Sequence, residues 1–286
     1  TPGQWGGPAR SYAFYPGFSY KSAAGYQESG EAVAARLGLE LVELTDWNCC
    51  GSSVYLSLDK VQALVLTARV FALASQAGFD KVVTICNACY TTLRKGLTQL
   101  EGDAGLLGEV NRRLAAEGLE FSPQTRIRHL LDVMVNDLGL DFIKEKKNPA
   151  FQGGPAAAYY GCQLTRPWGD LDHPDRPRIL ENFLEACGFC AVDSSAKTLC
   201  CGASHRAVHV EACRPLISRI VRGIQAQGAD FAVTVCPLCQ FNLDAGQAGL
   251  GLEPLPVVYF TQAAGLALGI PPAELGLNKL LIPLKR

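Results

Sequence analysis

The sequence predicts an α/β protein of two tandem duplicated domains, each a small parallel sheet flanked by helices, with the cysteine-bearing loops near the domain interface. Three observations carry this expectation. Short apolar runs of strand character alternate with helical patterns in both halves, the alternation that builds parallel sheets. Gly-Phe-Asp-Lys-Val-Val-Thr-Ile-Cys-Asn-Ala-Cys from Gly78 is matched by Gly-Ala-Asp-Phe-Ala-Val-Thr-Val-Cys-Pro-Leu-Cys from Gly228, an internal repeat. A Cys-Cys-Gly triplet precedes each copy at nearly the same distance, with residues 52–85 between Gly51 and Cys86 and residues 203–235 between Gly202 and Cys236.

In chain order, Tyr12–Tyr15 reads as a buried strand ending at Pro16-Gly17. A helix over Tyr26–Leu37 is closed by Gly38, and Glu40–Leu44 returns to strand character. Asp59 is placed to cap a long helix ending near Ala77, closed by Gly78, and Lys81–Ile85 is the strand that delivers Cys86. Tyr90–Leu100 and Leu106–Ala116 are helical, Arg126–Arg128 is a strand, and a helix runs through Val135. Lys144-Glu145-Lys146-Lys147-Asn148-Pro149 and then Gly153-Gly154-Pro155 have the charge and breakers of a solvated interdomain linker. The expected domains are therefore residues 11–147 and 155–286.

The second half repeats the plan. Ala156–Tyr160 is a strand leading to Gly161-Cys162, Arg178–Ala186 a helix, and Phe189–Val192 a strand. Val210–Ala226 is a helix in which Pro215 must lie near the first turn or cause a kink. Phe231–Val235 delivers Cys236, Pro256–Tyr259 is a last strand and Thr261–Leu268 a last helix. Tyr15-Pro16-Gly17-Phe18 corresponds to Tyr159-Tyr160-Gly161-Cys162, so Phe18 stands where the repeat predicts cysteine.

Net charge is -1, from 26 Lys and Arg against 27 Asp and Glu, which gives no electrostatic reason to expect nucleic acid or an anionic membrane as partner. Twelve cysteines in 286 residues are many for an ordinary cytosolic enzyme and too sparse for a small disulfide scaffold. A metal cofactor resolves that conflict. The chain begins at Thr1 without an initiator Met, which reads as a trimmed end, and Thr1–Gly7 carries no basic-plus-apolar signal pattern. The longest apolar stretch, Val61–Ala74, is broken by Gln62 and Arg69 and is too short to span a bilayer. These features point to a cytoplasmic protein, not an integral membrane one, in a compartment that keeps thiols reduced.

The second half holds Cys162, Cys200, Cys201, Cys236 and Cys239; the first holds Cys49, Cys50, Cys86 and Cys89. Buried small residues, a zinc knuckle and a thioredoxin-like dithiol are alternative readings of such cysteines. A dithiol leaves the Cys-Cys-Gly unexplained, and neighbouring side chains of an extended segment diverge, which suits one small tetrahedral ion poorly. A polynuclear cluster accommodates that divergence, because adjacent thiolates can bind different irons. Glycine after each pair lets backbone approach, and helix N-termini after the strands direct N–H groups toward a negatively charged group.

Cys162, Cys200-Cys201-Gly202 and Cys236-Pro237-Leu238-Cys239 resemble the cysteine-rich CCG domain of the heterodisulfide reductase B-subunit family. The resemblance covers nearly the whole chain, since members of that family have two tandem copies, and Val257–Gln262 with Leu266–Gly269 is similar to their tail. It implies that the complete second set holds a noncubane [4Fe–4S] cluster that binds and cleaves a disulfide or works in reverse on thiols. It implies further that the four-cysteine first set holds an ordinary cubane [4Fe–4S] cluster serving as relay. Implied partners are the iron–sulfur C subunit and the flavoprotein A subunit of the complex. One intact site is nearer to the bacterial heterodisulfide-reductase-like proteins, including those of sulfur oxidation, whose substrate is a disulfide, a thiol or a lipoyl-type carrier. The rival expectation is a non-catalytic electron-transfer or anchoring component of a larger oxidoreductase complex.

Among other residues, His205 is the candidate catalytic group, able to protonate a departing thiolate, with a capping or packing histidine as the alternative reading. Arg166 and Arg206 follow cysteines and are candidates for holding a substrate carboxylate, for offsetting cluster charge or for surface salt bridging. Trp47 and Phe18 are expected to wall the first cysteine set from solvent. Cys187 and Cys190 read as structural or free thiols, with a reactive pair or accessory metal site as the alternative, and Cys213 as a buried small hydrophobe.

Overall fold

The computed structural model describes residues 11–52 and 55–284. Thr1–Gly7 and the last two residues of the expected second domain lie outside the described residues. The first half runs β1 (Ser11–Tyr15), α1 (Gly17–Ser22), α2 (Tyr26–Leu37), β2 (Glu40–Glu43), α3 (Tyr55–Leu58), α4 (Lys60–Gln76), β3 (Lys81–Thr84), α5 (Asn87–Gly102), α6 (Ala104–Leu114) and β4 (Arg126–His129). It then continues through α7 (Leu130–Asp132), a π-helical stretch over Val133–Gly139, and α8 (Leu140–Lys146). The second half runs β5 (Pro155–Tyr159), α9 (Ile179–Ala186), β6 (Cys190–Val192), α10 (Val210–Gln225), β7 (Phe231–Thr234), α11 (Pro237–Gly246), β8 (Val257–Tyr259) and α12 (Phe260–Ala267).

Each half forms a four-stranded parallel sheet, ordered β2-β1-β3-β4 and β6-β5-β7-β8. The inner strands are covered on both faces, which is why they read as continuous apolar runs. The registers repeat: Tyr15 pairs with Thr84 and Thr84 with His129, as Tyr159 pairs with Thr234 and Thr234 with Tyr259. Local signals act as expected. Gly38 closes α2 at φ 68°, and the Asp59 carboxylate accepts from the Gln62 N–H to cap α4.

The two halves are joined by exchange. The helix after the last strand of each half packs on the first long helix of the other: α12 lies on α2, and α8 on α9. The Ser29 and Thr261 hydroxyls meet at 2.7 Å in the α2–α12 contact, and Tyr26 stacks on Tyr259 with ring centroids 3.9 Å apart. The Tyr26 hydroxyl donates to the Ile85 carbonyl at 2.5 Å and reaches the equivalent Val235 carbonyl at 3.4 Å. Tyr26 therefore sits on the pseudo-twofold relating the two cysteine-bearing strands. One apolar core runs through both halves there, and fully buried rings such as Phe183 and Phe260 each stabilise it by roughly 1.5–3 kcal/mol.

Two expectations are corrected. The stretch read as a linker begins helical, because Phe142 and Ile143 extend the apolar periodicity and Ile143 is buried; α8 runs through Lys146, and the Asn148 N–H then bonds the Ala267 carbonyl at 2.8 Å. The connection is docked against α12. Helix α5 starts at Asn87, not Tyr90, since extended Cys86 is already its N-cap; the first C-x-x-C thus forms a first helical turn. Pro215 lies inside α10, at its sixth residue.

Candidate metal centre

Both sheets present their cysteines beyond the carboxyl ends of the strands, where crevices of open α/β sheets form. Cys86 and Cys236 follow β3 and β7 as extended N-caps of α5 and α11, so Cys89 and Cys239 project one turn along each helix. The paired-cysteine loops are held by matching tyrosines: the Tyr15 hydroxyl donates to Asn48 O at 2.8 Å, and Tyr159 to Leu199 O at 2.7 Å. In the second half the Asn242 amide also donates to Cys201 O at 2.6 Å, and Arg206 Nη1 donates to Asn242 Oδ1 at 2.9 Å.

Two glycines permit this closeness. A methyl at Gly17 would lie 2.9 Å from Cys89 Sγ, and one at Gly161 the same distance from Cys239 Sγ, with φ at 68° and 67°. Each set then has a buried floor and an exposed rim. Cys50, Cys86 and Cys89 are buried in the first half, and Cys201, Cys236 and Cys239 in the second. Cys49 is exposed on one side, and both Cys162 and Cys200 on the other. Phe18 occupies the missing rim position. It is 61% exposed, against the expectation that it walls off the site, because its ring leans edge-on against Trp47 at 5.0 Å and leaves most of its surface to solvent. Trp47, partly buried against Tyr15 at 5.7 Å, does provide cover.

The sulfurs interact in proton-sharing pairs. Cys50 and Cys89 are 3.4 Å apart, and Cys201 and Cys239 3.6 Å. A hydrogen bond from Cys49, then one from Cys89, pulls Cys50 down to about 3, while Cys49 is pushed up by the same contact. Cys200 is lowered to about 6, first by Cys162, with the His205 charge among the further causes, and Cys162 is raised in return. Cys201 is lowered by Cys239, which is raised well above the thiol range by Cys201 and Cys236. The sets also meet each other. Cys86 is held well below the thiol range first by Cys236 and then by Cys89; Cys236, lowered by Cys239 but raised by Cys86 and by burial, is pushed up to about 12. The distribution is one in which metal binding displaces protons from thiols already paired with thiolates.

The residues fit a group larger than one ion. Among the described residues no three Cys, His, Asp or Glu side chains converge on a single-ion position, whereas sulfurs from the paired-cysteine loop and the following helix approach to 3.4 Å in the first half and 3.6 Å in the second. The Thr84 and Thr234 hydroxyls, both buried beside these loops, have no partner, and the Gly17 and Gly161 cradles leave the sulfurs room.

His205 sits exposed in the 3-10 turn Ala203–His205 directly after Gly202, its N–H bonded to Gly202 O at 2.9 Å. Arg206 is turned to Asn242 and, at 5.5 Å, to the Phe241 ring; Arg166 donates to Thr198 O at 2.9 Å. The buried Arg166 Nε has no partner of its own. Cys187 is buried, Cys190 exposed, and Cys213 is buried with its thiol 3.3 Å from Gly202 O.

Sequence reasoning missed Lys197 and Glu181. Buried Lys197 donates to Glu181 at 2.8 Å, to Asp193 at 2.9 Å and to Pro177 O at 2.9 Å. Its carbonyl receives the N–H groups of Tyr160 and Gly161 at 2.9 and 3.2 Å, and the Tyr160 hydroxyl donates to Glu181. This network binds the Cys162 loop to the Cys200 loop; Pro16, at the position of Tyr160, has no N–H to offer. The Cys162 loop is further docked on the first half, with Asn87 Nδ2 on Tyr160 O at 2.9 Å and Arg94 paired to Asp170 at 2.5 Å and lying over Trp168. Only a lysine at that spacing from Cys200 hinted at it.

Compared with known proteins, residues 12–94 and 156–244 each match the CCG cysteine-rich domain. The chain belongs to the CCG family. Its relatives include the 8-methylmenaquinol:fumarate reductase membrane anchor subunit of Wolinella succinogenes, 33% identical over 96% of this chain and 97% of that one. The B subunit of the ferredoxin/F420H2-dependent CoB-CoM heterodisulfide reductase of Methanosarcina acetivorans is 29% identical over 89% and 88%. A protein of Archaeoglobus profundus, named as like the heterodisulfide reductase B subunit, is 28% identical over 86% of each chain. The fold is shared with a crystal structure of a hypothetical protein from Helicobacter pylori, at a TM-score of 0.74 and 14% identity over 98% of this chain. This chain spans about half of that one, 53%. Among the described residues no helix is long and apolar enough to cross a membrane.

Proposed function

We propose that the chain is an iron–sulfur redox component of a multi-subunit oxidoreductase. In this reading Cys162, Cys200, Cys201, Cys236 and Cys239 hold a noncubane [4Fe–4S] cluster open to a sulfur substrate, and Cys49, Cys50, Cys86 and Cys89 hold a cubane relay. The observation that supports it is the matched pair of sulfur contacts, Cys50 with Cys89 at 3.4 Å and Cys201 with Cys239 at 3.6 Å, each at the helix that follows an inner strand, with one exposed cysteine beside the first and two beside the second. When bound, such clusters supply one-electron redox capacity and an iron site for sulfur.

The chain's own residues set the rest. Splitting a disulfide takes two electrons and two protons, and in this reading exposed His205, in the turn that follows Cys200-Cys201-Gly202, hands a proton to the departing thiolate. Tyr159, Asn242 and the Lys197–Glu181 pair fix the loops that carry the rim sulfurs. The iron–sulfur C subunit and flavoprotein A subunit as partners, a cytoplasmic location and a role in sulfur-compound oxidation belong to the same proposal. Iron and acid-labile sulfide per chain test it: about eight irons fit two four-iron clusters, and about four would leave one half as scaffold.

A second reading is favoured by the relative named as a membrane anchor, which aligns over nearly all of both chains. There the chain carries electrons between partners without cleaving a sulfur bond. Added thiol or disulfide perturbing the second-half magnetic resonance signal supports the first reading; an inert signal in an electron-competent complex supports the second.

A further inference from the structure

The unpartnered threonines do more than report that something fits. We infer that Thr84 and Thr234 are dedicated hydrogen-bond donors to the cysteine-held groups, one for each half, and that they set the reduction potentials of those groups. The inference rests on the iron–sulfur reading and adds to it two residues that bind no iron.

Both residues are wholly buried, and theirs are the only buried hydroxyls without a partner among the described residues. They occupy equivalent places, as the last residues of β3 and β7, two positions before Cys86 and Cys236. Their cross-strand neighbours are committed elsewhere: Tyr15 to Asn48 O, Tyr159 to Leu199 O, His129 to Ile85 O and Tyr259 to Gln240. A buried hydroxyl with no partner costs roughly 1–3 kcal/mol. Valine has the same shape, suits a strand better, and fills the preceding position in both copies, Val83 and Val233. Twice retaining the hydroxyl at one structural position therefore calls for an acceptor that the protein itself does not supply. Thiolate and inorganic sulfide are such acceptors, and a donor to them stabilises the more negative, reduced state.

The experiment uses the full chain carrying its clusters, with Thr84→Val, Thr234→Val and the corresponding serine variants. Redox titration followed by magnetic resonance reads each half separately, and thermal melting is run on metal-free samples. Each valine variant keeps wild-type iron but lowers the reduction constant of its own half about tenfold, about 59 mV for one electron. The serine variants stay close to wild type, and the metal-free valine variants melt at the same or a higher temperature. Unmoved potentials with iron in place overturn the threonine inference alone. A lower melting temperature of the metal-free valine variants, which would reveal a partner within the protein, also overturns it. A wild-type chain without iron overturns the inference together with the reading beneath it.

Discussion

Replacing Gly161 by alanine perturbs the second cysteine set with one atom. The new methyl falls 2.9 Å from Cys239 Sγ, well inside van der Waals contact, at a backbone φ of 67°. Holding an L-residue in that left-handed region costs about 1–2 kcal/mol, and overpacking a closed site adds about 1–3 kcal/mol. The metal-free chain should therefore lose about 2–5 kcal/mol in a urea unfolding titration. Because the displaced atom is a floor sulfur, the reconstituted variant should also lose the second-half iron and its magnetic resonance signal. Gly17→Ala is the internal control, with the same 2.9 Å contact to Cys89 Sγ at φ 68°, and should spare the second half. Full iron with an unshifted second-half signal in Gly161→Ala would refute the cradle, as would equal damage to both halves from either variant.

Phe18→Cys restores the missing rim sulfur, so the first-half spectrum should move toward that of the second; an unaltered spectrum counts against the repeat alignment. Lys197→Met leaves Glu181, only 1% exposed, buried without its cation and should destabilise by about 3–5 kcal/mol, with Glu181→Gln in the same chain recovering part of it. A measured loss under about 1 kcal/mol would mean that the pair behaves as a surface one. Burial lowers the His129 pKa from 6.5 to about 4, so as pH falls the unfolded chain takes up a proton before the folded one. The metal-free chain should accordingly lose about 3 kcal/mol between pH 6.5 and about 4, a slope that His129→Gln removes and that an unchanged profile would disprove.

Much of this molecule is legible locally. The strands before Cys86 and Cys236 and the caps at Gly38 and Asp59 depend on neighbours a few residues away, and the duplicated spacing alone sets Phe18 opposite Cys162. What escapes depends on distant pairs. Nothing near Lys144 says that α8 will find an apolar face on α9, so its lysines resemble a linker. Lys197 and Glu181 are separated by a whole strand and become a pair only once both loops are folded. Tyr26 resembles any helix-starting aromatic, yet it reads two carbonyls related by the pseudo-twofold. The exposure of Phe18 escapes for the same reason, since a large ring at a site is covered only if another element reaches it.

The exchange of α8 and α12 bears on how the two sites came to differ. Two separate copies of one half, each lending its last helix to the other, would form a closed symmetric pair in which every change of residue appears twice. Losing the rim cysteine would then strip both sites at once. Joining the copies through Asn148 and its neighbours removes that coupling: position 18 can lose its sulfur while position 162 keeps it. Difference between the two cysteine sets is thus a freedom conferred by covalent linkage, and the shared helices keep the unlike halves from parting.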